Sequence, residues 1–178
     1  MGTSNRDEEV FRVLFVCSGN VCRSPMAEGI LKARLSADIV EWVMVESAGT
    51  MGISGQPASE YAVKVSAEKG VDISRHRSRG LDAGIANESD LILVMETAHE
   101  EWVRCISPAA AERTHLLGAF ATKGSGPVEV GVDDPIGAPL DVYRRCFETI
   151  SGHLNRCLPE IEEMVRAKIG RGGGGRKI

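Results

Sequence analysis

At 178 residues the chain is long enough to bury one substantial core, and its 43% hydrophobic and 26% charged residues fall in the ordinary globular range. A formal net charge of −4 excludes a general basic field, so nucleic acid is not an expected partner and any anion site must be local. No apolar run approaches bilayer-spanning length, and an odd count of five cysteines does not read as a secreted disulfide framework. The expectation is a cytoplasmic protein with no membrane partner.

Residues 1–10 are polar, lack the apolar segment of a signal peptide, and read as a flexible leader. The first strand follows in "FRVLFVC" (11–17), and a helix is expected over 24–37, with Ser24 as its cap and Pro25 as its first residue. "VMVES" (43–47) reads as a second strand, 57–69 as a helix, "DLILVM" (90–95) as a third strand and 98–106 as a helix. A weaker fourth strand lies in "THLLG" (114–118). The last helix, 140–166, carries Leu140, Tyr143, Phe147, Ile150, Leu154, Leu158 and Ile161 at three- and four-residue spacing, and Pro159 is expected to kink or interrupt it. Gly-rich residues 170–178 read as a flexible tail.

The strand runs are continuous rather than alternating, which suits parallel strands covered on both faces. Strand–helix alternation implies right-handed crossovers. The expected fold is therefore a single α/β domain over 11–169, a small doubly wound four-stranded parallel sheet with helices on both faces. In such sheets ligands bind beyond the carboxyl ends of the strands, at the point where strand order reverses. Cys17 ends the first strand in that position.

Cys17 and Arg23 are separated by Ser18, Gly19, Asn20, Val21 and Cys22. In a chain with five cysteines and many arginines this spacing alone is close to what chance supplies. Its context says more. Gly19 and Asn20 are residue types that accept left-handed backbone angles, so successive N–H groups can turn inward as an anion nest. The following helix terminus favours a bound dianion and a thiolate, and a guanidinium at Arg23 can grip two phosphate oxygens at once. An ordinary strand-to-helix connection with structural cysteines is the alternative. Downstream, Asp134 precedes Pro135 in the Gly- and Pro-rich loop "VGVDDPIGAP" (130–139). Transfer of a phosphoryl group from an ester needs a group to protonate the leaving oxygen, and a loop Asp fits that task. A turn that caps the last helix is the other reading of Asp134.

The loop C-x5-R-S-P opening the first helix, "SAGT" (47–50), "HRSR" (76–79) and the late Asp-Pro come in one order and spacing. Together they resemble the low-molecular-weight protein tyrosine phosphatases, with a likeness running from residue 11 to about 166. The resemblance implies a cofactor-free, metal-independent phosphatase domain in which Cys17 is the nucleophile and forms a phosphocysteine. It makes Arg23 the clamp on the equatorial oxygens and Asp134 the general acid, then the base for water. It makes Ser24 the hydroxyl that supports the thiolate, and Asn20, Ser47 and His76 a network that keeps the loop in shape. It also implies a reversible-oxidation partnership between Cys17 and Cys22, and a monomeric protein that acts on phosphoproteins or aryl phosphates and releases inorganic phosphate.

Tyrosine-directed members usually line the pocket with aromatics, where this chain has Met51, Ile53 and Ile136. "DDPIGAPLDVY" resembles the bacterial branch that includes protein arginine phosphatases, but arginine-directed members carry Thr at the position of Val21. Tyrosine-phosphate hydrolysis is thus the first expectation and arginine-phosphate hydrolysis the second. Arsenate reduction on a similar fold needs a cysteine relay, and none occurs between Cys22 and Cys105. A non-catalytic phosphate-binding module could dispense with Cys17 or Asp134, and both are present. Cys146, His153 and Cys157 lie at helical spacing but share their face with Ile150, so packing is expected there rather than a metal.

Overall fold

Successive residues of the first strand point into two different cores, and this alternation sets the architecture. The computed structural model describes residues 10–121 and 131–172. Its four strands are β1 (Phe11–Cys17), β2 (Val43–Gly49), β3 (Leu91–Val94) and β4 (Thr114–Leu116), all parallel and ordered β2-β1-β3-β4. The helices are α1 (Arg23–Arg34), α2 (Glu60–Glu68), α3 (Ala83–Glu88), α4 (Thr97–Ile106) and α5 (Leu140–Gly172).

Val13, Phe15 and Cys17 face the larger core with Leu91 and Leu93, against Met26, Ile30 and Leu31 of α1, Val65 of α2 and Ile150 of α5. Leu14 and Val16 face the opposite core with Ile92 and Val94, against Ala86 of α3 and Val103 of α4. Helices therefore cover both faces of the sheet, as expected. Each fully buried large apolar side chain contributes about 1.5–3 kcal/mol, which is why the strand runs are continuously apolar.

Boundaries differ from expectation for local reasons. β2 runs two residues further, to Gly49, because Cys17 pairs with Gly49 in the β1–β2 register. α3 was not foreseen: six residues are too few to show a helical period, although Asp82 caps it by accepting from Ile85 N–H at 2.8 Å. α5 is not interrupted at Pro159. Pro159 and Asn155, whose carbonyl loses its donor, both lie on the exposed side, while Leu154, Cys157, Ile161 and Val165 pack into the core on the other. Burial of those flanks outweighs the roughly 3 kcal/mol that an interior proline costs. α5 also extends into the segment expected as tail, through Gly172, and residues 173–178 lie outside the described residues. Of the expected leader only Val10 is described, and its carbonyl accepts from Lys168 Nζ at 2.8 Å.

β1 connects outward to β2 on one side while β3 lies on its other side. The connections leaving β1 and β3 thus diverge, and a crevice opens between them at the carboxyl end of the sheet.

Candidate active site

The chain leaves β1 at Cys17 and curls back over the sheet before α1 begins at Arg23. Asn20 makes the turn with φ of 55°, the left-handed region that asparagine tolerates. Gly19, the other residue expected there, does not adopt it. The loop passes so close to β2 that only glycine fits at position 49. A Cβ on Gly49 would stand 2.7 Å from the Ser18 carbonyl oxygen and 2.9 Å from Asn20 N.

Ser24 corrects one expectation. The cap position of α1 belongs to Cys22, with no side-chain capping bond, and Ser24 lies inside the first turn. Its hydroxyl goes to the loop instead, 3.0 Å from Cys17 Sγ. Asn20 holds that hydroxyl from its other side. The Asn20 side-chain oxygen accepts from Arg79 N–H at 2.9 Å, so its amide nitrogen donates to Ser24 Oγ at 2.8 Å and to Ser47 Oγ at 2.9 Å. With one lone pair taken by that amide, the Ser24 proton is free for the sulfur, and a Cys17 thiolate, which can only accept, takes it. Asn20 N–H adds a second donor to Sγ at 3.3 Å.

The same network runs outward. Ser47 Oγ donates to Glu28 at 2.6 Å, and His76 Nε2 donates to the Asn20 carbonyl at 2.7 Å. Asn20, Ser47 and His76 are therefore gathered round the loop. Glu28 and Arg79, which complete the network, were not foreseen.

Arg23 is buried, 1% exposed. Its Nη1 donates to the Glu96 carboxylate and to the Val132 carbonyl (2.9 Å), its Nη2 to Asp134 Oδ2 (2.6 Å) and to Ser18 Oγ (3.3 Å). Burial opposes the charge, but Glu96, Cys17 and Asp134 more than offset it and hold the guanidinium protonated above its ordinary range. The Nε–H is buried and has no acceptor among the described residues. A buried guanidinium N–H without an acceptor, beside a thiol with two donors trained on it, is the geometry of an oxyanion cradle.

Asp134 reaches this cradle from the loop before α5, and its other oxygen accepts from Ile136 N–H at 3.2 Å. Thr50 N–H and Met51 N–H donate to the Cys17 and Ser18 carbonyls, both at 3.0 Å, so the segment after β2 is tied to the loop. Met51 and Ile136 are 66% and 58% exposed and offer aliphatic surface at the mouth. Ile53 Cδ1 would lie 3.9 Å from a Cβ on Gly19, which places it against the loop as well. Val21 packs on the larger core, and its carbonyl accepts from Ser59 N–H at 2.8 Å.

Cys22 Sγ is drawn to the inner side of the loop by two hydroxyls, Ser59 at 3.1 Å and Tyr143 at 3.5 Å. Burial pushes its thiol above the ordinary range. Tyr143 is pushed to about 12, also chiefly by burial. Both groups are protonated at neutral pH.

Cys146, His153 and Cys157 do not converge. Cys157 Sγ lies 3.8 and 3.4 Å from the Leu117 and Phe120 carbonyls, and Cys146 Sγ lies 3.7 Å from the Asp133 carbonyl. Among the described residues no group of three His, Cys, Asp or Glu is placed to hold a metal ion, and no helix is long and apolar enough to cross a membrane.

Glu96 and His99 are the main residues that motif reading missed. They follow β3, whose neighbour in the sheet is β1, so strand order brings them to the loop. The signal available was positional: an acid immediately after a strand that borders the switch point.

A thiol, a buried guanidinium and a carboxylate meeting over one loop at the carboxyl end of a parallel sheet define a class of α/β domain, one that cradles a tetrahedral oxyanion against a cysteine. Comparison with known proteins narrows the class to a family. Residues 12–167 match the family described as low molecular weight phosphotyrosine protein phosphatase, and the chain belongs to it. It is 36% identical over 148 residues to the low molecular weight protein-tyrosine-phosphatase Etp of Escherichia coli, covering 83% of this chain and 90% of that one. It is 32% identical over 152 residues to the protein-arginine-phosphatase of Geobacillus stearothermophilus, covering 85% and 97%. The crystal structure of the low molecular weight protein tyrosine phosphatase from T. tengcongensis superposes with a TM-score of 0.74 at 38% identity, over 84% of this chain and 99% of that one.

Proposed function

We propose that the chain hydrolyses phosphate monoesters, phosphotyrosyl proteins first among them, through a phosphocysteine on Cys17. The observation that carries this reading is Arg23 Nε, a buried donor without an acceptor among the described residues, on a guanidinium whose charge acts on Cys17. In the first step the sulfur attacks phosphorus and the ester P–O bond breaks, while protonated Asp134 passes its proton to the departing oxygen. Arg23 and the loop amides hold the equatorial oxygens as charge redistributes. In the second step water attacks phosphorus, gives its proton to Asp134, and the P–S bond breaks to restore the thiolate. The balance is one ester and one water to one alcohol and one inorganic phosphate. The proposed protein acts in the cytoplasm as a monomer of one catalytic domain, and five free cysteines fit a reducing compartment.

Arginine phosphate is the second reading, favoured by the relative named a protein-arginine-phosphatase and by the lack of aromatic residues at Met51, Ile53 and Ile136. Initial rates on matched phosphotyrosine and phosphoarginine peptides, without added metal and with vanadate as inhibitor, test both. The expected result is vanadate-sensitive hydrolysis with kcat/KM at least about tenfold higher for phosphotyrosine, a gap of about 1.4 kcal/mol in transition-state binding. The inverse preference transfers the assignment to phosphoarginine, and Val21→Thr is expected to narrow the gap.

Cys22 is proposed to protect Cys17 from irreversible oxidation. Peroxide takes two electrons from the pair, giving a Cys17–Cys22 disulfide and two waters, and a dithiol reverses this. Cys22 must leave Ser59 and Tyr143 to react, and its raised pKa makes it a slow resolving thiol. After peroxide and then dithiol, wild type is expected to recover most of its activity and Cys22→Ser little. Equal recovery removes the role.

A further inference from the structure

The cap of α4 is built from the two residues that also reach into the active site. The Glu96 side chain accepts from the backbone N–H of His99, and the His99 ring accepts in return from Glu96 N–H, at Nδ1, 3.2 Å away. That second bond settles the ring. With a backbone donor on Nδ1, the proton of neutral His99 sits on Nε2, which lies 3.0 Å from Ser18 Oγ and donates to it. Ser18 Oγ also accepts from Arg23 Nη2. Glu96 meanwhile binds Nη1 of the same guanidinium. One capping box thus reaches both terminal nitrogens of Arg23, one directly and one through Ser18.

The contact through Ser18 matters because Asp134 shares Nη2 with it. On the phosphatase reading, Asp134 must turn to the leaving oxygen during turnover, and Nη2 then loses its anionic partner. We propose that neutral His99 and Ser18 are positioning residues that keep Arg23 aimed at the phosphate oxygens when Asp134 is engaged with the leaving group.

The charges facing His99 are Arg23 from α1, Asp134 from the loop before α5, and Glu96 from its own cap. Burial first and Arg23 second hold its pKa below the ordinary 6.5, against the opposing pull of Glu96 and Asp134. The ring is therefore neutral at physiological pH. Charging it as pH falls below 6.5 puts an Nδ1–H against Glu96 N–H and a cation beside Arg23, and both loosen the clamp.

The inference rests on the phosphatase reading, but its test does not rely on turnover alone. Inorganic phosphate affinity is measured by calorimetry, and kcat/KM for an aryl phosphate is followed from pH 4.5 to 8, in wild type, Ser18→Ala, Ser18→Thr, His99→Leu and His99→Gln. Losing the hydrogen bond from charged Arg23, directly in Ser18→Ala and through release of Ser18 in His99→Leu, is expected to weaken phosphate binding and kcat/KM by about tenfold in each. The double variant should lose little more than Ser18→Ala, because His99 reaches Nη2 of Arg23 only through Ser18. Ser18→Thr should stay within about threefold of wild type. His99→Gln keeps a donor for Ser18 but cannot titrate, so it should bind phosphate nearly as wild type and lose one proton from the acid limb of kcat/KM. Unchanged phosphate affinity in Ser18→Ala, additive losses in the double variant, or an unaltered acid limb in His99→Gln each overturn the proposal. An inactive wild type that still shows the tenfold loss of phosphate affinity rejects the phosphatase reading and leaves the clamp standing. If His99→Leu does not fold, Ser18→Ala and His99→Gln decide.

Discussion

Cys17→Ser is expected to lower turnover of an aryl phosphate by at least about 10⁴-fold while leaving the fold and phosphate binding in place. Two donors address the atom at this position, Ser24 O–H at 3.0 Å and Asn20 N–H at 3.3 Å. They stabilise negative charge on sulfur, both when it attacks and when it departs from phosphorus. An oxygen in the same place is too basic to be ionised at neutral pH, and it makes a much poorer leaving group in the second step. Packing changes little, because the oxygen is smaller than sulfur and can accept the same two bonds. A cost near 1 kcal/mol would move the thermal midpoint by about 2–4 °C. Arg23 and the loop amides are untouched, so calorimetry with inorganic phosphate should return an affinity within a few-fold of wild type. Turnover within tenfold of wild type would reject the phosphocysteine route. Loss of phosphate binding would instead make the sulfur a structural post of the loop.

The parts of this site legible in the sequence are those that lie next to one another in the chain. Cys17, Asn20 and Arg23 share one turn, and the strand before it and helix after it fix where it sits. Asp134 was legible because Asp-Pro in a Gly- and Pro-rich loop restricts the backbone strongly. Ser24 shows the limit of local rules. Its type and position read as a cap, yet the loop needs its hydroxyl more than the helix end does, and Asn20 holds that hydroxyl from the side away from the sulfur. Glu96 and His99 required the sheet order, since only the β1–β3 pairing carries the end of one strand to the loop of the other. Glu28 and Arg79 join the network through Ser47 and Asn20, partners 19 and 59 residues away. No pattern within one element announces contacts at that range. Pro159 failed as a helix breaker for a related reason: its local cost is real, but long-range burial on the opposite side of α5 decides the outcome.

The second large effect is expected at Asp134. In Asp134→Asn, kcat for esters of ordinary phenols should fall by about 10²–10³-fold, while esters of strongly acidic phenols lose far less. A phenolate whose conjugate acid has a pKa near 10, as tyrosine does, departs slowly from phosphorus unless a proton reaches it. Activated phenols leave without that help. Asparagine removes the proton with the smallest change of shape. It keeps the size of Asp134, and its single carbonyl oxygen can retain the bond from Arg23 Nη2, now 2.6 Å from Oδ2, while its NH2 cannot accept from Ile136 N–H, which now binds Oδ1 at 3.2 Å. What it removes is the transferable proton and a negative charge that competes with phosphate for Nη2. Inorganic phosphate should therefore bind at least as tightly in the variant as in wild type, even as turnover collapses. The measurement is a series of aryl phosphates of graded leaving-group acidity, with log kcat plotted against the pKa of the phenol. A much steeper dependence in Asp134→Asn than in wild type supports Asp134 as the acid. A parallel drop across the whole series would make it only an anchor for Arg23, and the search for the proton donor would move to another group at the mouth of the cradle.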